Sequence, residues 1–288
     1  MKPARFDYIR PATVAQAVSA LEQHAGMARV LAGGQSLVPM LGMRLMRPSA
    51  LIDINGLGDE LGRIECSGSE TTVGALVRYA TLERSPVISE RLPLLQHVVR
   101  YIGDRQVRNR GTLGGAIAQS DPTGEMALVC LALGATVLAR GSGGERTIPI
   151  EGFFEGSYAN VLEPEELLVA LRFPLAPARC RFFERGRKHN DFALMSVVAV
   201  GSEDADGRWH DVRIALGGVN DRPLLAPAAA ARLEGARWDA AAIEEAAQLA
   251  LEVADPPDDV RASADYRRHL VPVHVRRVLT DLAAGEDR

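Results

Sequence analysis

The sequence predicts an α+β protein built in more than one part. Three observations carry this. The chain has 288 residues, and domains usually hold roughly 100–200, so two are expected. Two glycine pairs, in Leu31-Ala32-Gly33-Gly34-Gln35-Ser36-Leu37-Val38 and in Gly111-Thr112-Leu113-Gly114-Gly115-Ala116, stand at element boundaries. They fit neither the G-x-G-x-x-G fingerprint of a doubly wound fold nor a phosphate loop ending in Gly-Lys-Ser/Thr. Finally, Pro174-Leu175-Ala176-Pro177 is the best linker in the chain. Beyond it, strands give way to alanine-rich helices, the pattern of a small sheet with helices on one side.

The elements follow in order. Residues 6–9 read as a short strand. Thr13 caps a helix, with Gln16 at the capping-box position. Val14, Ala17, Val18 and Leu21 form its apolar face, and Gly26 ends it. Residues 29–32 are the strand before the first glycine pair. Leu37 opens a helix that tolerates Pro39 in its first turn, continues through Met43, Leu45 and Met46, and closes at Pro48. Residues 51–54 are a buried strand ended by Asn55-Gly56, where a second lobe starts. Residues 63–66 and 71–74 pair as a hairpin around Ser67-Gly68-Ser69. Residues 92–101 are helical. Asp121-Pro122-Thr123-Gly124-Glu125 starts a helix through Leu133. Residues 135–139 and 146–150 pair across a glycine-rich turn, and 167–173 form a strand ended by Pro174. After the linker come strands at 180–185, 195–200 and 211–216, helix over 226–250, and a last helix from Pro272 to Ala284.

Composition narrows the function. Hydrophobic residues make up 47% and charged residues 24%, with a net charge of −4. Those values suit an ordinary globular protein and argue against broad binding to nucleic acid or membrane surfaces. The three cysteines, Cys66, Cys130 and Cys180, are dispersed and form no C-x-x-C. They offer neither a zinc site nor an iron–sulfur cluster, and a reducing cytoplasm fits them. Cys130 lies in an apolar run and reads as a core residue. The N-terminus has no apolar signal core, and no apolar run approaches the ~20 residues of a membrane span.

The chemistry points to a bound cofactor. Glycines let the backbone approach a ligand closely, and N–H groups at a helix start can face an anion. Ser36 is placed as an N-cap. Two such loops can hold the two ends of one pyrophosphate, although either alone equally suits a tight turn. Asp121 and Glu125 flank a helix start, where a carboxylate either accepts from sugar hydroxyls or caps the helix. The run Arg185-Gly186-Arg187-Lys188-His189-Asn190-Asp191 reads as a solvated turn or as a positive rim beside a cofactor. The six histidines are scattered without metal-ligand spacing, and His97 reads as a satisfied helix residue. There is no G-x-S-x-G elbow. No catalytic residue and no metal ligand is therefore assigned, and a cofactor is expected to supply the chemistry.

At Ala32-Gly33-Gly34-Gln35-Ser36, residues 106–115 (Gln-Val-Arg-Asn-Arg-Gly-Thr-Leu-Gly-Gly) and residues 187–193 (Arg-Lys-His-Asn-Asp-Phe-Ala), the sequence resembles a known family. It is similar to the FAD-binding medium subunit of the molybdenum hydroxylases, the group of carbon monoxide dehydrogenase and xanthine dehydrogenase. Phe6-Asp7-Tyr8 and residues 48–55 fit as well, so the resemblance spans essentially the whole chain. It implies a two-lobed FAD-binding fold of the vanillyl-alcohol-oxidase (PCMH) type over residues 1–175, with lobes of about 1–55 and 56–175. A small α+β C-terminal domain would follow over 176–288.

By the same resemblance, Ala32, Gly33, Gly34, Gln35, Ser36 and Leu37, with Thr112, Leu113, Gly114, Gly115 and Ala116, wrap the FAD pyrophosphate. Glu125 stands where the family has an acidic residue contacting the cofactor, and Asp121 belongs to the same stretch. Leu168 and Lys188 match positions that approach the flavin. Ala116 replaces a frequent asparagine, and Lys188 stands where many relatives have arginine, which keeps a charge but not a bidentate grip. The implied partners are a large molybdenum–pterin subunit that hydroxylates the substrate and a small subunit with two 2Fe–2S clusters, in a doubled heterotrimer. Three dispersed thiols could not ligate both clusters, which need four ligands each. This chain would pass electrons from the small subunit to an external acceptor. The alternatives are a self-sufficient FAD-dependent oxidoreductase and a non-catalytic subunit that has lost FAD.

Overall fold

The computed structural model describes residues 2–24, 26–188 and 191–286. Chain order begins with β1 (Asp7–Ile9), α1 (Val14–Gln23), β2 (Ala28–Leu31), α2 (Leu37–Gly42) and β3 (Ala50–Asp53). These strands form a parallel sheet in the order β1-β3-β2. The central strand β3 is buried at every residue, as expected where a parallel strand is covered on both faces. The Thr13 hydroxyl accepts from the Gln16 N–H at 3.2 Å, and Gln16 Oε1 accepts from the Ala12 N–H at 2.8 Å. The capping device therefore holds, with its return bond one residue earlier than the standard box.

The second lobe runs through α3 (Gly58–Leu61), β4 (Ile64–Ser67), β5 (Glu70–Gly74), α4 (Tyr79–Arg84), α5 (Pro86–Arg91), α6 (Pro93–Val98), α7 (Arg105–Arg110), α8 (Leu113–Gln119) and α9 (Glu125–Ala132). It continues with β6 (Thr136–Gly141), β7 (Gly144–Pro149), the small pair β8 (Phe154–Gly156) and β9 (Ala159–Asn160), and β10 (Leu167–Phe173). Its sheet is antiparallel in the order β4-β5-β10-β6-β7. Side chains alternate across β10 except at a bulge between Leu168 and Ala170: Leu167, Val169 and Ala170 join the first lobe's core, whereas Leu168, Leu171 and Phe173 join the second.

The third part holds β11 (Arg179–Arg185), β12 (Met195–Glu203), β13 (Trp209–Gly217) and β14 (Leu224–Leu225) in one antiparallel sheet. The helices α10 (Pro227–Leu233), α11 (Ala240–Leu249) and α12 (Ala264–Ala283) follow. Met195, Val197 and Ala199 of β12 face these helices. Val198 and Val200 face α9. The helix α9 is buried at every residue from Met126 to Ala132, because it lies between the two antiparallel sheets.

Several expected bounds change. The helix at Leu37 stops at Gly42, since Arg44 turns left-handed at φ 60°, so Met43, Leu45 and Met46 do not extend it. Residues 226–250 form two helices rather than one. The break lies at Gly235 (φ +68°), and Trp238 stacks on Trp209 at 3.9 Å there. The last helix starts at Ala264, not at Pro272. Ser263 caps it, and the buried Leu270, Val271, Val275, Val278, Leu279 and Leu282 carry it past an interior proline that costs ~3 kcal/mol in isolation.

Phe182 of β11 is 4% exposed and meets Tyr101 edge-on at 4.9 Å, so it joins the third part to the second lobe. Phe182→Ala should cost about 3–5 kcal/mol in denaturant unfolding. A loss below about 1 kcal/mol would show that this contact does not couple the two parts.

Candidate functional site

A cavity of about 890 Å³ lies where the two lobes meet. That is at the upper end of the 300–1,000 Å³ usual for small-molecule sites. The sequence explains one wall directly. Strand β2 ends at Leu31, and the backbone turns through Ala32–Ser36 into α2. Gly34 takes φ +74° in this turn, a conformation open to glycine at little cost. Gly33 has a different reason. A Cβ there would press into the Arg110 carbonyl oxygen and reach 3.0 Å from the Gly111 Cα. Only a bare backbone fits between the loops.

The first loop keeps its donors free. Among the described residues, the N–H groups of Gly33, Gly34, Gln35, Ser36 and Leu37 make no hydrogen bond within the protein. Successive free N–H groups in a turn form an anion-binding concavity. Ser36 does not cap α2: its backbone is already helical and its hydroxyl makes no cap bond.

The second loop is built differently. A helix, α7, precedes it rather than a strand. Thr112 caps α8 through Gly115 N–H at 3.1 Å. The Leu113 N–H donates to Val77 at 3.1 Å, the Gly114 N–H to Ala75 at 3.0 Å, and the Ala116 N–H to the Thr112 carbonyl at 3.1 Å. Its first-turn donors are thus consumed within the protein. Gly114 is needed because a Cβ would strike Ala75.

The cavity brings together most residues singled out from the sequence: Ala32, Gly33, Gly34, Gln35, Ser36 and Leu37, then Thr112, Gly114, Gly115 and Ala116, and finally Asp121, Glu125 and Leu168. Leu113 is fully buried in the core, and Lys188 is exposed and is not among the lining residues. His189 and Asn190 lie outside the described residues. Asp191 pairs with Arg261 at 2.9 Å and lines the cavity. Tyr158 and Phe192 line it too and are 61% and 57% exposed, so aromatic surface is left open at the mouth. Tyr158 has no sequence signal, since its place depends on a left-handed turn at φ 60°. Phe192 lies within the motif at residues 187–193, in which the sequence singles out Lys188.

Asp121 accepts from the Thr123 N–H at 2.9 Å and from its hydroxyl at 2.7 Å, an Asx-turn. Glu125 is the first residue of α9. Burial, and then the neighbouring Asp121 charge, push its carboxyl up to about 7 against the pull of its own backbone N–H. Glu184 of β11 faces the same region. Burial first and Glu125 second push it up to about 8, and its Oε2 is buried without a hydrogen-bond partner. Cys130 is buried, and burial pushes its thiol above the usual range. Among the described residues no group of three or more His, Cys, Asp or Glu could hold a metal ion.

The raised carboxyls make stability fall with pH. The native state holds protons that the unfolded chain releases, so their contribution is full below about pH 4.5 and is lost as pH rises through about 7 and 8. In thermal unfolding at constant ionic strength, the double variant Glu125→Gln/Glu184→Gln should flatten the decline between about pH 5 and 8. Parallel curves for the variant and the native chain would contradict the assignment.

A ligand with a diphosphate, a sugar and a planar ring suits this cavity, whose lining combines free N–H groups and a glycine cradle, two carboxyl groups, and apolar and aromatic surface. The sequence matches the FAD binding domain in molybdopterin dehydrogenase over residues 4–176 and the CO dehydrogenase flavoprotein C-terminal domain over residues 181–282. It is 37% identical to the carbon monoxide dehydrogenase medium chain of Hydrogenophaga pseudoflava, covering 97% of each chain. It is 33% identical to the glyceraldehyde dehydrogenase medium chain of Sulfolobus acidocaldarius, covering 98% of this chain and 100% of the relative. Its fold superposes on the solved carbon monoxide dehydrogenase from Hydrogenophaga pseudoflava with a TM-score of 0.95 over 100% of both chains. The chain belongs to the family of FAD-binding medium subunits of the molybdenum hydroxylases.

Proposed function

We propose that this chain holds FAD in the cavity between its lobes and serves as the electron-transfer subunit of a cytoplasmic molybdenum hydroxylase complex. Its partners would be a large molybdenum–pterin subunit and a small 2Fe–2S subunit, in a doubled heterotrimer with an external acceptor. The observation that carries the reading is the first loop: five backbone N–H groups without a protein acceptor, beside a glycine that only a bare backbone can replace. Such a concavity suits a diphosphate. A subunit that had lost its cofactor would have no use for it.

FAD supplies exchange between one-electron and two-electron carriers, a property of the flavin that the protein tunes. The chain's own residues bind and orient. The N–H groups of Gly33–Leu37 would hold the diphosphate, with Thr112 and Ala116 of the second loop lining the same cavity, and Asp121, Glu125 and Leu168 would hold the sugar and ring parts of the cofactor. Lys188, exposed beside the basic run, is assigned to the flavin by family position alone. The division into a flavin-binding part at 1–175 and a C-terminal part at 176–288 goes with this reading. The substrate would be chosen on the large subunit, which is consistent with medium chains named for carbon monoxide and glyceraldehyde dehydrogenases.

The purified chain should carry, or take up on reconstitution, about one FAD per polypeptide, seen in its visible spectrum and identified after release, with no stoichiometric iron. Stoichiometric iron in the isolated chain would overturn the division of labour. Gly33→Ala should weaken FAD at least about tenfold, or ~1.4 kcal/mol, because it forces the loops apart. Unchanged affinity in a fluorescence titration would remove the first loop from the site.

A further inference from the structure

The two glycine loops come from different lobes, yet their carbonyl groups are held by one chain of side chains. Asn55, in the turn after β3, donates through Nδ2 to the Ala32 carbonyl at 2.9 Å and to the Leu31 carbonyl at 3.4 Å. Asp53 fixes Asn55: it accepts from the Asn55 N–H at 3.0 Å and from Nδ2, and it takes the Tyr8 hydroxyl on its other oxygen. The Asn55 Oδ1 then accepts from Arg78 Nη2. Arg78 Nη1 donates to the Arg110 carbonyl, the oxygen against which Gly33 packs.

Arg78 is placed rigidly. It is the N-cap residue of α4, and it is bracketed by Tyr79 N–H to the Gly111 carbonyl at 3.1 Å and Leu113 N–H to the Val77 carbonyl at 3.1 Å. Its guanidinium is half-buried and gives both bonds to neutral oxygens. Among the described residues neither Arg78 nor Arg110 forms an ion pair with a carboxylate. Burial, and then the Arg110 charge, lower the Arg78 pKa against the opposing pull of the Asp53 carboxylate. Two guanidinium groups close enough to repel share the single nearby carboxylate of Asp53, which reaches Arg78 only through Asn55, and this leaves a net positive charge at the junction of the loops. Carbonyl lone pairs that would repel an anion are occupied from behind, while the first loop's N–H groups remain free.

We propose that Arg78, held by Asn55, is the positioning residue for the cofactor diphosphate: it sets the spacing of the two loops across the lobes and brings to their junction a positive charge that no carboxylate pairs directly. This rests on the flavin reading above. The guanidinium gives both bonds from one planar fork, a fixed geometry that a lysine ammonium on a flexible stem keeps only in part.

The test is titration of the full apo chain with FAD, ADP and riboflavin at low and high salt. Arg78→Met should weaken FAD and ADP at least about tenfold while leaving riboflavin unchanged, and it should reduce the salt dependence of ADP binding. Arg78→Lys should recover part of the ADP affinity, and Asn55→Ala should lose some of it with the charge still present. If Arg78→Met does not fold, the lysine and Asn55 variants decide by the same readout. Native affinity for ADP in the variants, or equal loss for ADP and riboflavin, would overturn the role of Arg78 and leave the flavin reading standing. A native chain that binds none of the three would overturn both.

Discussion

Gly33 lies against the Arg110–Gly111 backbone with no room for a side chain, and much of the site follows from that contact. It brings a loop of the parallel sheet against a loop between two helices, closing one wall of a cavity that neither lobe could form alone. Because the loops touch through backbone, their separation depends on hydrogen bonds to carbonyls. Asn55 and Arg78 supply these bonds from opposite sides. The N–H groups of the first loop are left without a protein acceptor. The two loops are alike in sequence but not in use: one exposes its donors, whereas the other consumes them in capping and in a bridge to the segment before α4.

The helix α9 is the second constraint. Its buried residues face the second lobe on one side and β12 and β13 on the other. The C-terminal sheet is therefore part of the cavity's foundation. Its strand β11 carries Glu184 to within electrostatic reach of Glu125, the first residue of α9. The helix N-terminus favours a carboxylate, but burial outweighs it and raises the acid. Two neighbouring carboxyls that hold protons near neutrality, one of them lining the cavity, are unusual for structural residues.

Most of the architecture was legible in the chain. Periodicity located α1, β3 and the strand at 167–173, because their buried faces impose a period on the side chains. Glycine pairs flagged both loops, and clustered motifs indicated the family. Where the reading failed, tertiary contacts had overridden local rules. Pro272 sits inside a helix because an apolar face on both sides of it is buried. Residues 226–250 break into two helices where Trp238 finds Trp209. Ser36 is no cap because its backbone is already helical.

By itself, the sequence determined the order of the elements and flagged the glycine pairs, which are local properties of period and turn chemistry; the kind of cofactor to expect came from the family that the motifs together resemble. The tertiary structure alone decided that Gly33 needs no side chain because of Arg110, that Arg78 and Asn55 serve the loops, and that Glu184 faces Glu125. It also brought Tyr158 and Phe192 to the cavity mouth. Each depends on residues 20 or more positions apart meeting in space, and no one-dimensional pattern records such distances.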